Sequence, residues 1–145
     1  MIAEKTSVCI QRNGGCVEIQ NLSVSDLVYD HVSGMSDRIV RILKKTVSLH
    51  NRELSAYFPI VLSVGQVMDG RPTSTTLVSP RQQILMPDRN QPVDQPRKTS
   101  MYLAEDISTD ILTGVDHIVY YAIFFQRNRF ILANGVMMAS YAIIN

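Results

Sequence analysis

The C-terminal segment constrains the fold most, because it is long, apolar and almost free of charge. From Ile118 to Asn145 the only charged side chains are Arg127 and Arg129, next to a predicted turn. β-branched and aromatic residues predominate, which predicts strands. Polar breaks leave its apolar pieces far shorter than the roughly 20 residues that a membrane-spanning helix needs. We therefore predict an antiparallel sheet with two apolar faces and no membrane span.

An Asn-Gly pair sets the register within this sheet. Asn134-Gly135 favours a two-residue type I′ turn, in which both positions take positive φ. That turn places Ala133 opposite Val136, and the pairing continues outwards to Phe130 opposite Ala139. Because an antiparallel sheet exposed on one face would alternate in polarity, both faces must be covered. A helix of the chain accounts for one face, and we favour another copy or a partner over the chain itself for the second.

A second Asn-Gly pair predicts an N-terminal hairpin. With Asn13-Gly14 at the tip of a type I′ turn, Val8 lies opposite Ile19. In that register Cys9 and Cys16 are diagonal neighbours, which could form a disulfide only with distortion. We therefore predict two free, half-buried thiols in a reducing compartment.

Helical spacing characterises the next segment, 27–47. Ser23 and Asp26 resemble a capping box, and apolar residues then recur in steps of three and four, which predicts a helix. Arg38, Arg41 and Lys45 share its polar face, which we interpret as solvated. Short helices are also predicted at 51–58 and at 106–114, the latter capped by Asp106. Between them, residues 60–68 and 74–79 predict a pair of strands.

Proline marks an extended region at 80–98. Four of the six prolines lie there, among Arg, Gln and Asp side chains. Such a composition predicts a long arm outside the core, and long loops in compact domains are commonly functional. We expect this arm to lie against a neighbouring subunit.

Composition limits the classes of function. The chain has 145 residues, 46% hydrophobic residues and a formal net charge of +1, which is typical of one folded domain, 1–145. The near-neutral net charge excludes a broadly basic nucleic-acid-binding protein. The N-terminus lacks the pattern of a cleaved signal peptide, so we expect a cytoplasmic location or one within an assembled particle. The common phosphate, dinucleotide, zinc-protease and hydrolase motifs are absent.

Three weaker sets of residues remain as candidates for chemistry. Glu105, Asp106, Asp110, Asp116 and His117 form an acidic cluster that could attract a metal ion, although helix capping and surface exposure explain them as well. A Cys/His nucleophile pair lacks an activating feature. Single-stranded nucleic acid could stack on Tyr120, Tyr121, Phe124 and Phe125, with Arg127 and Arg129 on its backbone. We predict no cofactor, no metal and no catalytic site.

The hypothesis from the sequence is a non-enzymatic α+β domain that acts as a self-assembling structural subunit of a larger particle, such as a virion or a secretion apparatus. Its partners would be other copies or neighbouring proteins. The predicted interface comprises Arg81, Ile84, Leu85, Met86, Arg89, Tyr120, Phe124, Phe130, Leu132, Met137, Met138 and Tyr141. The alternatives are an adaptor or chaperone for an extended peptide, a single-stranded nucleic-acid-binding module, and an enzyme built around Asp106, Asp110 and His117.

Overall fold

Antiparallel β-structure dominates the computed structural model, which describes residues 1–92, 94–96 and 98–143. The strands are β1 (Ile2–Ala3), β2 (Ser7–Cys9), β3 (Cys16–Glu18), β4 (Leu27–Asp30), β5 (Met35–Arg38), β6 (Arg41–Ser48), β7 (Ile60–Leu62), β8 (Thr76–Val78), β9 (Gln83–Pro87), β10 (Thr99–Leu103), β11 (His117–Phe125), β12 (Phe130–Ala133), β13 (Val136–Ala139) and β14 (Tyr141–Ala142). The described helical elements are α1 (Ala104–Ile107) and the 3₁₀ segments Ile19–Asn21 and Arg52–Tyr57. The predicted α+β class is therefore wrong, because elements this short provide no helical layer.

The described strands form two six-stranded sheets and one separate hairpin. The first sheet has the order β14-β11-β1-β8-β7, with β6 also paired to β11, and the second has the order β10-β9-β13-β12-β2-β3. Strands β4 and β5 form a separate hairpin. One apolar cluster contains residues of both sheets, among them Ile2, Val78, Ile84 and Met138. The core therefore lies between the sheets, and β1 is a central strand of the first one.

The predicted helix over 27–47 is wrong. The segment forms β4, β5 and β6 instead, with Gly34 at φ +74° in the turn between the first two strands. Strand β6 pairs with β11 along its whole length, from Arg41 opposite Phe124 to Ser48 opposite His117. Helical spacing failed here because strands interrupted by a turn can reproduce steps of three and four, and pairing with a distant strand outweighs local preference.

The predicted arm is also wrong for its first half. Residues 83–87 form β9, which pairs with β10 and β13, and Ile84 and Met86 are buried in the core. Proline is tolerated because Pro87 ends this strand. Residues 93 and 97 of the predicted arm lie outside the described part of the chain.

The predicted register of the C-terminal hairpin is confirmed, but the C-terminal strands belong to two different sheets. Asn134 (φ 47°) and Gly135 (φ 80°) form the turn, and β12 and β13 pair in the predicted register. Strand β11, however, belongs to the other sheet, where β14 runs parallel to it. The chain itself covers both faces of β11, because Tyr120 packs with Leu54 and Phe58 on the face opposite the main core. Coverage by a second copy is thus unnecessary for β11.

The N-terminal hairpin forms in a different register. Val8 pairs with Val17, and Cys9 lies directly opposite Cys16, to which it is joined by a disulfide. The predicted free thiols are therefore wrong. The register shifts because Gly14 takes the positive φ of 92° alone, which lengthens the loop beyond the two-residue turn.

The remaining short elements were predicted in part. Strands β7 and β8 pair as expected, and the 3₁₀ segment Arg52–Tyr57 lies within the predicted helix 51–58. Helix α1 ends at Ile107, so Asp106 lies inside it rather than at its N-cap. Among the described residues, no helix has the length and apolar character required to cross a membrane.

Candidate functional site

Three polar side chains converge on the backbone nitrogen of Met1. This nitrogen, which is an amino terminus in the structure, lies within hydrogen-bond distance of Ser79 Oγ (2.6 Å), Gln82 Oε1 (2.9 Å) and the Tyr141 hydroxyl oxygen (2.9 Å). Ser79 and Gln82 are buried and Tyr141 is half-buried. A buried nitrogen is thus surrounded by three oxygen atoms that come from distant parts of the chain.

The two sheets jointly hold these side chains in place. Met1 directly precedes the central strand β1, and Ser79 directly follows β8, whose neighbour in the sheet is β1. The Ser79 backbone N–H donates to the Met1 carbonyl at 2.9 Å, which fixes the two residues side by side. Gln82 donates through Nε2 to the carbonyls of Gln83 (3.1 Å) and Ala139 (2.9 Å), so its oxygen is aimed at Met1.

Burial changes the proton affinity of two of these groups. It lowers the pKa of the Met1 amino group from 8.0 to about 5, because the charged form loses its hydration. It raises the pKa of the Tyr141 hydroxyl for the same reason. Near neutral pH the nitrogen is therefore a neutral amine with a free lone pair, and the Tyr141 hydroxyl retains the proton that it can donate to this lone pair.

The buried amine predicts a pH dependence of stability. In a chain produced with Met1 as its amino terminus, the unfolded state binds a proton at this amine between pH 5 and 8 and the folded state does not, so the free energy of unfolding should rise with pH. The full difference, from a pKa of 8.0 to about 5, corresponds to about 4 kcal/mol. Urea unfolding at pH 5.5 and 8.0 should show about 3 kcal/mol of this difference, because the titration is incomplete at both ends of that range. An N-terminally acetylated chain is the control, because it lacks the titrating amine and should lose this part of the slope; an equal slope in both chains would contradict the assignment.

A cleft of about 520 Å³ adjoins this polar site. It is lined by Gln82 and Tyr141, which also contact the Met1 nitrogen, and by Arg81, Phe124 and Ser140 among others. The Phe124 and Tyr141 rings lie 5.2 Å apart at its wall. The cleft can thus hold an extended segment while the Ser79 hydroxyl faces the Met1 nitrogen.

The predicted interface residues fall into two groups. Four of them are buried within the chain itself: Ile84, Met86, Tyr120 and Met138. The other eight are half-buried or exposed: Arg81, Leu85, Arg89, Phe124, Phe130, Leu132, Met137 and Tyr141. A role of this set at an interface stays a prediction, and one of its members, Tyr141, belongs to the polar site.

The other candidate sets do not assemble as a site. No group of three or more His, Cys, Asp or Glu side chains in the described residues is placed to hold a metal ion; Asp116 contacts His50 at 2.8 Å instead. Arg129 pairs with Asp37 at 3.0 Å. Of the four predicted stacking aromatics, only Phe124 is not buried.

Ser79 and Gln82 were not among the residues predicted from the sequence to form a site. They lie 78 and 81 residues from Met1 along the chain, and only the pairing of β8 with β1 brings them to it. A polar residue at a buried position was the one available signal, and burial was not evident for Ser79 at the end of the predicted strand 74–79 or for Gln82 in the predicted arm.

Comparison with known proteins identifies the family. Residues 5–145 match the Hint domain family, which covers nearly the entire chain. No curated protein matches the sequence. The β-rich fold observed here agrees with that family. The chain therefore belongs to the Hint domain family.

Proposed function

We propose that this Hint domain is a self-processing module that cleaves the peptide bond on the N-terminal side of Met1. Hint domains are autoprocessing and splicing modules, and such a module must bring a reactive group to a bond of its own chain. The observation that carries the proposal is the contact between the Ser79 hydroxyl and the Met1 nitrogen, at 2.6 Å. In a chain extended upstream, that nitrogen belongs to the peptide bond in question.

Ser79 is placed to accept the acyl group. The carbonyl carbon of a preceding residue is bonded to the Met1 nitrogen at about 1.33 Å, so it comes within reach of Ser79 Oγ. The serine oxygen bonds to this carbon, the C–N bond breaks, and the hydroxyl proton passes to the nitrogen, which leaves as an amine. Water then hydrolyses the ester on Ser79, which releases the upstream segment as a carboxylate and restores the hydroxyl.

Two neighbours support this step. The Tyr141 hydroxyl, 2.9 Å from the nitrogen, donates to the lone pair that appears as the C–N bond breaks. Gln82 Oε1 accepts from the N–H and holds its orientation, and its own amide group is fixed by two backbone carbonyls. The cleft beside Gln82 and Tyr141 receives the upstream segment.

An extended chain tests the proposal directly. The chain is produced with an additional ten-residue segment before Met1, purified, and incubated at pH 7.5 while its intact mass is recorded. We expect the mass to fall by that of the segment, with Met1 as the new N-terminus. An extended chain that folds, as judged by circular dichroism, and keeps its full mass would contradict the proposal.

A second candidate function is protein–protein contact in a larger assembly, which the sequence favoured. It is supported by exposed apolar side chains on and beside the β4–β5 hairpin: Val24, Leu27, Val32 and Met35 are each about half exposed. Exposed apolar groups concentrated in one small element are typical of interaction surfaces. The location of such an assembly, and the alternatives of a peptide adaptor or a nucleic-acid-binding module, stay predictions.

Light scattering over a range of concentrations tests this second candidate. We expect a mass above that of one chain, and we expect the double substitution Leu27→Ser and Met35→Ser to reduce it to the monomer. Val64→Ser is the matched control, because Val64 is equally exposed but lies outside the hairpin. A monomer at every concentration would contradict self-assembly.

A further inference from the structure

Strand β6 presents a long open edge to solvent. It pairs with β11 on one side, and the described residues contribute no strand to its other side. Leu49 N–H donates to the Asp116 carbonyl, and Glu4 N–H donates to the Val119 carbonyl on the opposite side of β11. Because bonded residues alternate along an antiparallel pair, both contacts fix which backbone groups of β6 face β11.

The backbone groups of every second residue of β6 therefore point away from the sheet. Residues 41, 43, 45 and 47 bond to β11, so the N–H and carbonyl groups of Ile42, Lys44, Thr46 and Ser48 point outward. Lys44, Thr46 and Ser48 are exposed and Ile42 is half-buried. At about 3.3 Å per residue the open edge is about 20 Å long, which is enough for six or seven residues of an added strand.

This edge is strongly basic, although the whole chain has a formal net charge of only +1. The residues from 38 to 52 include five Lys and Arg side chains and no Asp or Glu. The acidic neighbours along the chain are Asp37, which pairs with Arg129, and Glu53 beyond the strand. The positive charge at the edge is thus not neutralised locally along the sequence.

Aromatic rings hold two of these cations beside the edge. The Lys45 ammonium lies 3.6 Å from the centre of the Tyr57 ring, and the Arg41 guanidinium lies 5.6 Å from that of Phe124. Both side chains project on the same face of β6, since they are four residues apart. Lys44 projects on the other face. An added strand would therefore meet positive charge on either face.

We propose that the open edge of β6 binds an extended acidic segment of another protein by strand addition. Outward N–H and carbonyl groups supply the backbone hydrogen bonds, and Arg41, Lys44 and Lys45 select carboxylates on the incoming strand. Edge lysines oppose pairing with a like-charged edge, so a second copy of β6 is repelled. Strand β6 contains no proline, and its unbroken register with β11 leaves no bulge that would block an acidic strand.

Binding of a designed peptide tests the proposal. The probe is a fluorescent, capped heptapeptide of alternating Glu and Val, and fluorescence anisotropy measures its affinity. We expect saturable binding that weakens at least tenfold from 50 to 300 mM salt. Three matched probes define the mode: the same peptide with alternate backbone amides N-methylated and the Lys/Val peptide should both lose binding, and an oligothymidylate should bind no better than the Lys/Val peptide.

Variants of β6 locate the site. Thr46→Pro removes an outward N–H without removing a bond to β11, a position at which edge strands tolerate proline, and it should weaken binding at least tenfold. Thr46→Ala retains the N–H and should stay within twofold of the parent. Lys44→Glu should weaken binding at least fivefold, and it keeps the test valid if the proline variant fails to fold.

Amide hydrogen exchange distinguishes strand addition from a merely electrostatic contact. Saturating peptide should slow exchange at residues 42, 44 and 46 at least tenfold, and change it little at residues 43 and 45, which already bond to β11. Unchanged exchange at the outward amides would overturn the proposal. So would equal affinity of the N-methylated probe, or preferential binding of the oligothymidylate that survives Thr46→Pro.

Discussion

An upstream-extended chain that carries Ser79→Ala should keep its full mass, with cleavage slowed at least about 100-fold relative to the extended parent. The reason is that the substitution removes the oxygen that accepts the acyl group, while Gln82 and Tyr141 still hold the Met1 nitrogen. Intact mass spectrometry over several days gives both rates. Cleavage of the Ser79→Ala chain at the parental rate would show that a different group attacks the bond.

Three further variants separate an effect on the reaction from an effect on folding. Ser79→Cys retains a nucleophile at the same atom position, so it should cleave, and hydroxylamine should accelerate release because it attacks the resulting thioester. Ser74→Ala is the matched control, since Ser74 is an exposed serine in the loop before β8 and should cleave like the parent. Tyr141→Phe should slow cleavage about tenfold through loss of the proton donor. Circular dichroism at each step excludes unfolding as the cause.

The Asp30→Ala variant should lose about 3 to 5 kcal/mol of the free energy of unfolding. Asp30 is a buried carboxylate at the end of β4, and it accepts from the backbone N–H groups of Val32 (2.7 Å), Ser33 (3.1 Å) and Phe130 (3.1 Å). Alanine leaves three donors without this acceptor, and the bond to Phe130 is the one that ties the β4–β5 hairpin to β12.

Urea unfolding of matched variants measures this loss. Asp30→Asn keeps one carbonyl oxygen and should lose about half as much stability as alanine. Asp69→Ala removes an exposed carboxylate and should stay within about 0.5 kcal/mol of the parent. A loss at Asp30→Ala below about 1 kcal/mol would mean that water or other oxygen atoms satisfy these donors.

Local chemistry explains which elements the sequence could predict. The type I′ turn at Asn134-Gly135 depends on two neighbouring residues that both accept positive φ, so its register followed from the sequence alone. The same dipeptide at Asn13-Gly14 gave a wrong register for the N-terminal hairpin, because only the glycine takes positive φ there. A loop longer by two residues shifted the register and brought Cys9 opposite Cys16.

Long-range pairing explains what could not be predicted. Residues 41–48 form a strand because β11, about 76 residues later, provides the partner. The spacing of apolar residues within 27–47 contains no information on that long-range pairing. The site at Met1 has the same origin. Ser79 and Tyr141 lie far apart in the sequence, and neither belongs to a local motif; only the order β14-β11-β1-β8 brings them together.

The position of β1 bears on when the protein can fold during its synthesis. Ile2 pairs with Tyr121 on one side and with Val78 on the other. Strand β1 leaves the ribosome long before β11 and must therefore wait for it before their sheet can close, and long-range closure of this kind slows folding. Until then the apolar β1 and β8 remain available to chaperones and to wrong partners, so the stability of the nascent chain should appear abruptly once β11 has left the ribosome.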